Sequence, residues 1–139
     1  MYRTGVLRWM IGGGTMVALA LSIAVGAAAQ GKWAAPADEQ KVKNPVAKSD
    51  KVLAAAKKSF ETNCVACHGP KGLGDGEAGR NLPVKPANWT TPDVQKQTDG
   101  DLYWKITNGR AGGYMPPWKH LPDNERWGLV HYLRTFAKK

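Results

Sequence analysis

Between Asp50 and Thr62, Val52, Ala56 and Phe60 recur every four residues, while Lys51, Lys57, Lys58 and Glu61 fall largely on other sides. That is the period of a helix with one apolar face, and it runs directly into Cys64. A shorter helix is predicted where Thr98 and Asp101 form a capping box ahead of Leu102, Tyr103 and Ile106, with a stop at Asn108-Gly109. A last helix begins near Pro122 and carries Leu129, Tyr132, Leu133 and Phe136 at the i, i+3, i+4, i+7 spacing of a core-facing stripe. Gly69 to Thr91 is too dense in Gly and Pro for helix or strand and reads as an ordered loop. No segment alternates as a strand does, so the expected class is all-α, a few helices joined by long loops that carry the function.

The N-terminal third is of another kind. Arg3 and Arg8 precede an uncharged, mostly apolar run from Trp9 to Ala29 that ends in small residues just before Gln30. Residues 1–29 therefore read as an export signal cleaved after Ala29, or as an uncleaved membrane anchor, since the run is long enough to span a bilayer. Either reading puts the bulk of the chain outside the cytoplasm, on the periplasmic side. Residues 30–48, rich in Lys, Ala, Pro, Asn and acids, cannot bury enough apolar surface to fold alone and are expected to be a flexible linker or a surface-hugging arm. Trp33 is the exception there, as an anchor for the arm or an interfacial residue near the leader. Residues 49–139 remain as one small domain.

A chain of 139 residues has room for little more than that. So small a domain is marginal unless a disulfide, a metal or a large cofactor supplements its core. Its two cysteines lie within one four-residue window, which excludes a disulfide framework. The chain is basic, with 20 Lys and Arg against 11 Asp and Glu. That surplus favours acidic partners or anionic surfaces, whereas the scatter of the positive charges without a basic run argues against nucleic acid.

Cys64-Val65-Ala66-Cys67-His68 matches the C-x-x-C-H signature of c-type haem attachment in full. Two thiols three positions apart at a helix end can each add across a haem vinyl group, and the following imidazole then reaches the iron. The competing readings of a Cys-x-x-Cys pair are weaker. A redox disulfide expects a βαβ context that the pattern lacks, and zinc would need further ligands, such as His120 or His131, in a second pair. Gly72, Gly74 and Gly76 do not form a dinucleotide loop, because no strand precedes them and no helix opens after them.

The other face of the iron needs a ligand if substrates are to be kept off it. Met1, Met10 and Met16 lie in the leader, leaving Met115 within Gly112-Gly113-Tyr114-Met115-Pro116-Pro117-Trp118. Glycines there permit close backbone approach and the prolines stiffen the loop, so Met115 is the expected second ligand. The alternatives are a Met that fills a core gap or ligation by a histidine. His120 and His131 are expected to be surface or packing residues.

Together, Cys64 to His68, the stretch Gly69-Pro70-Lys71-Gly72-Leu73-Gly74-Asp75-Gly76 and the Met115-Pro116-Pro117-Trp118 loop resemble a class I monohaem c-type cytochrome. The likeness is to the bacterial kind, similar to cytochrome c6 and the cbb3-oxidase cytochrome domains, and covers roughly Ser49 to Lys139. It implies a cytochrome c-like fold in which the first and last helices cross, bringing Phe60 to Trp127, Tyr132 or Leu133. It also implies a backbone carbonyl that receives the hydrogen bond of His68, for which Pro83 is the candidate, and haem contacts from Trp89 and Arg80.

The function expected is electron transfer through one covalent haem c held by Cys64 and Cys67, with His68 and Met115 on the iron. Such a protein is a carrier between redox donor and acceptor proteins, with no small-molecule substrate and no enzymatic turnover of its own. The alternative is a haem-bearing subunit of a membrane-bound quinol-oxidising or terminal-oxidase complex. Lys71, Arg80, Lys85, Arg110 and Lys119 flank the haem-binding segments, either as a docking face for an acidic partner or as ordinary solvated surface.

Overall fold

The computed structural model describes residues 33–110, 112 and 114–137. The expected leader, residues 1–29, lies outside them. The described residues form α1 (Ala37–Gln40), α2 (Asp50–Asn63), α3 (Val65–His68), α4 (Glu77–Arg80), α5 (Pro92–Gln95), α6 (Asp99–Asn108) and α7 (Asp123–Arg134). Among them there is no strand, only an isolated antiparallel bridge between Arg110 and Met115. No helix among them is long and apolar enough to cross a membrane.

Two helix starts, the second of them predicted from its capping box, are built by local hydrogen bonds. Ser49 Oγ accepts from the Val52 N–H at 3.3 Å to cap α2, and Thr98 Oγ1 accepts from the Asp101 N–H at 3.2 Å to cap α6. Each bond satisfies a donor that the first helical turn leaves without a partner. The long helices α2 and α7 then pack together, and α6 packs on α7.

The core is Phe60, Trp89, Val94, Leu102, Ile106, Trp127, Leu129, Val130 and Leu133. Phe60, at 1% exposure, is its centre: its ring lies 5.4 Å from Trp89, 5.3 Å from Tyr132 and 5.7 Å from Phe136, all tilted. Each such aromatic pair adds about 0.5–1.5 kcal/mol beyond the burial itself. Trp127, one of the partners expected for Phe60, instead stacks flat on Tyr103 at 3.9 Å. The cause is that α7 is buried without interruption from Arg126 to Val130, so it serves two neighbours rather than one.

Buried charge on this second face is satisfied. Arg126 donates to the Leu121 carbonyl, to Thr107 Oγ1 and to Asp123, and its guanidinium lies 5.0 Å above the Tyr103 ring. At the end of α7, Arg134 donates to the carbonyls of Gln95 and Gln97 and to Asp99 Oδ1. It thereby clamps the connection between α5 and α6 to the last helix.

Residues 33–48, expected on composition as a flexible linker or a surface-hugging arm, pack on the domain. The Ala35 N–H donates to Asp101 Oδ1 at 2.6 Å, Asn44 Nδ2 donates to the Trp127 carbonyl at 3.0 Å, and His131 Nε2 donates to the Val46 carbonyl at 2.6 Å. Asp101 of α6, His131 of α7 and the arm's own Asn44 thus give the arm the hold that its apolar content does not supply.

Candidate functional site

Cys64 closes α2, with its N–H donating to the Phe60 carbonyl at 2.9 Å, and α3 carries Cys67 and His68. The loop after it folds back over this turn: the Gly74 N–H donates to the His68 carbonyl at 2.8 Å, and the Gly76 N–H to the Cys67 carbonyl at 3.1 Å. Gly74 stands at φ +77°, and a Cβ there would lie 2.3 Å from the Pro86 carbonyl oxygen. Only glycine fits that approach, which brings the segment 82–89 against the Cys-His turn.

Both cysteines are free thiols and half-buried. Burial, aided by Cys67 beside it, pushes the Cys64 thiol up to about 12, so at neutral pH it is a thiol and a poor redox nucleophile. Burial also lowers the pKa of His68, against the opposing effect of its bond to Ala87, which favours the neutral imidazole that metals require. His68 Nδ1 lies 3.4 Å from the Ala87 carbonyl. With the proton on that nitrogen, Nε2 keeps a free lone pair. The carbonyl expected at Pro83 is therefore Ala87, a correction set by the path of the 82–89 segment, which no local sequence signal specifies. The His68 ring also packs on Trp89 at 4.6 Å, and Trp89 is tied in turn by its N–H to the Gly72 carbonyl at 2.7 Å.

Met115 is presented from the other loop. The Arg110 N–H donates to its carbonyl at 2.9 Å, closing the loop on itself, and the Trp118 N–H donates to the Ile106 carbonyl at 3.1 Å, tying its far end to α6. Gly109, at φ +66°, makes the turn; a Cβ there would lie 2.4 Å from the Met115 carbonyl oxygen.

Cys64, Cys67, His68 and Met115 all line one cavity of about 380 Å³, within the usual range for cofactor sites. Its walls are largely apolar, with Leu82, Val84, Leu102, Ile106, Leu129 and Leu133 among them. Neither His120 nor His131 lines it: His120 lies 5.4 Å from the Trp118 ring, and His131 holds the arm. A larger hollow of about 580 Å³, lined by Val65, Asp75, Glu77 and Arg80 among others, carries neither thiol nor His68. Among the described residues no three His, Cys, Asp or Glu side chains gather as metal ligands, so the zinc reading has no donor set.

The residues present fit a haem. Two free thiols, one imidazole and one thioether face a single apolar cavity. The same wall also holds Trp33, whose buried Nε1 has no hydrogen-bond partner among the described residues. Cys64 and Cys67 would hold the group covalently and His68 would hold its iron. Trp89 is placed to back the imidazole. Arg80, expected as a haem contact, instead donates from Nε to the Asp75 carbonyl at 3.0 Å and lines the other hollow.

Comparison with known proteins adds a family. Residues 51–133 match the family model described as cytochrome C oxidase, cbb3-type, subunit III. The cbb3-type cytochrome c oxidase subunit CcoP of Azospirillum sp. (strain B510) is 34% identical over 90 residues, covering 61% of this chain and 29% of that protein. The subunit FixP of Bradyrhizobium sp. (strain ORS 278) is 42% identical over 71 residues, covering 50% and 22%. The chain thus matches less than a third of either relative's length. Among solved structures, the Kuenenia stuttgartiensis reducing HAO-like protein complex Kustc0457/Kustc0458 has a chain with TM-score 0.59 and 31% identity, covering 70% of this chain and 50% of that one. The KustC0563 c-type cytochrome gives TM-score 0.53 and 27% identity, covering 60% and 98%. The signature, the helical fold and the family match agree: the chain belongs to the cbb3-type cytochrome c oxidase subunit III family, and its domain is an electron-transferring c-type cytochrome with covalently bound haem c.

Proposed function

We propose that this domain passes single electrons outside the cytoplasm with Cys64 and Cys67 as the covalent attachment, His68 as the proximal ligand and Met115 as the distal ligand. The observation that carries the reading is that these four side chains line one cavity while His120 and His131 do not. Haem iron supplies the one-electron change between Fe(III) and Fe(II).

The chain's own residues do the rest. The Ala87 carbonyl and Trp89 ring orient the His68 imidazole, a hold on the far nitrogen that raises its basicity as a ligand. The bridge from Arg110 and the bond from Trp118 to Ile106 on α6 hold the loop that keeps Met115 at the cavity wall. With His68 and Met115 both at the cavity wall, the chain itself would supply the iron's ligands and keep substrates off the metal. A Met thioether raises the potential relative to a second imidazole, and the apolar walls exclude water, so little solvent reorganises when charge changes.

A second reading is that the domain serves as the haem-bearing part of a larger respiratory assembly. It is favoured by the family match and by two relatives that are named as oxidase subunits. Intact-mass analysis of the protein recovered from periplasm and membranes tests the reading. A free carrier is expected in the soluble fraction, beginning at Gln30 and bearing one acid-stable haem. A membrane fraction that retains Met1 and co-purifies with other redox subunits would favour the assembly instead. Haem that extracts into acid-acetone from the unaltered protein would overturn both.

A further inference from the structure

We propose that Trp33, flanked by Lys105 and Arg110, is a binding site for a carboxylate of the prosthetic group, contributed by the N-terminal arm rather than by the family domain. The inference rests on the haem reading above and adds a residue to it. Trp33 precedes the family match, which begins at residue 51, yet it lines the same cavity as His68 and Met115.

Its indole Nε1 is cut off from solvent and has no partner among the described residues. An indole N–H can only donate, and a buried donor is normally paired. The missing partner is therefore an acceptor, and the cavity that Trp33 lines lies beside it. The surroundings specify an anion. Lys105 Nζ lies 5.2 Å and the Arg110 guanidinium carbon 5.3 Å from the centre of the Trp33 ring, and both residues line the cavity. Asp101 pairs with Lys105 at 2.7 Å, whereas Arg110 makes no ion pair among the described residues, so this wall keeps a positive charge. Haem c brings an apolar macrocycle, which suits the aliphatic walls, and carboxylates, which suit this corner.

The arm is built to hold Trp33 there. The Ala35 N–H is bonded to Asp101 Oδ1, two residues from Trp33 and on the helix that carries Lys105. The chain crosses α6 at Gly100, where a Cβ would lie 2.0 Å from the Glu39 carbonyl oxygen, so only a residue without a side chain admits the arm. Asn44 and His131 fasten its far end. A strap fixed on both sides of its crossing keeps the indole against the cavity without ordering cost when the group is loaded.

The test uses the full holoprotein. In the reduced protein the Trp33 indole proton is expected to exchange slowly and to carry a large ring-current displacement. Trp33→Phe keeps a ring but loses the donor. It is expected to retain covalent haem and the Met115-to-iron band, to shift the carboxylate vibrations seen by resonance Raman, and to move the Fe(III)/Fe(II) equilibrium up to tenfold toward Fe(III), about 59 mV for one electron. Arg110→Gln is expected to act in the same direction. Carboxylate bands and potential unchanged in Trp33→Phe would overturn the proposal. So would an unshifted, fast-exchanging indole proton in the unaltered protein, a measurement that decides even if the variant fails to fold. Loss of the underlying haem reading would show separately, as absence of a haemochrome spectrum from the unaltered protein.

Discussion

Gly128 of α7 lies against Ala56 of α2 so closely that a Cβ on Gly128 would stand 3.6 Å from the Ala56 Cβ and 3.4 Å from Val52 Cγ1. These are ordinary contact distances, so the crossing has room for one methyl group and no more. Gly128→Ala is expected to stabilise the protein by up to about 1 kcal/mol, the helix-interior difference between the two residues. Ala56→Leu, at 2% exposure, is expected to cost about 1–3 kcal/mol by overpacking. Urea unfolding of the two variants checks both signs.

Phe60→Ala is expected to cost about 3–5 kcal/mol, because the ring joins three aromatic neighbours that cannot all collapse into the space it leaves. Thermal and urea melts of the holoprotein measure it. A loss below about 1 kcal/mol would contradict its central place in the core.

Met115→Ala is expected to open the distal position. The oxidised variant should lose the weak near-red sulfur-to-iron band, its potential should fall, and the reduced form should bind carbon monoxide. Met115→His should restore six coordination at a potential below that of the unaltered protein. An unchanged spectrum in Met115→Ala would remove Met115 from the site.

Gly109→Ala acts on the same ligand without touching it. Its φ of +66°, with the Met115 carbonyl oxygen 2.4 Å from where the added methyl group would stand, leaves no relaxed conformation for alanine. A cost of about 1–3 kcal/mol is expected, together with a weakened sulfur-to-iron band as the bridge to Arg110 shifts. Optical titration with denaturant reads both at once.

What is legible in the sequence is what short-range chemistry encodes. Ser49 and Thr98 start their helices through bonds only a few residues long, and the Cys64 to His68 turn declares its chemistry by spacing alone. Met115 stands out because it shares its loop with residues that fit no helix. The carbonyl facing His68 belongs to Ala87 rather than Pro83, since its position depends on Gly74 admitting Pro86, a tertiary approach with no periodic trace. Trp127 goes to Tyr103 because α7 buries consecutive residues, where a stripe of i and i+4 positions describes only one face. Average composition leaves the arm open between a free linker and a surface-hugging strip, and single bonds involving Asp101, Asn44 and His131 decide it.

The packing of α2 on α7 also sets an order of events. The helix that precedes the two thiols finds Trp89 for Phe60 earlier, but Tyr132 and Phe136 only when the last helix and the turn after it have been made, so a growing chain lacks much of its core until then. Until residues 123–134 arrive, the turn that carries Cys64 and Cys67 stays open to a large group, and the core closes around it only then.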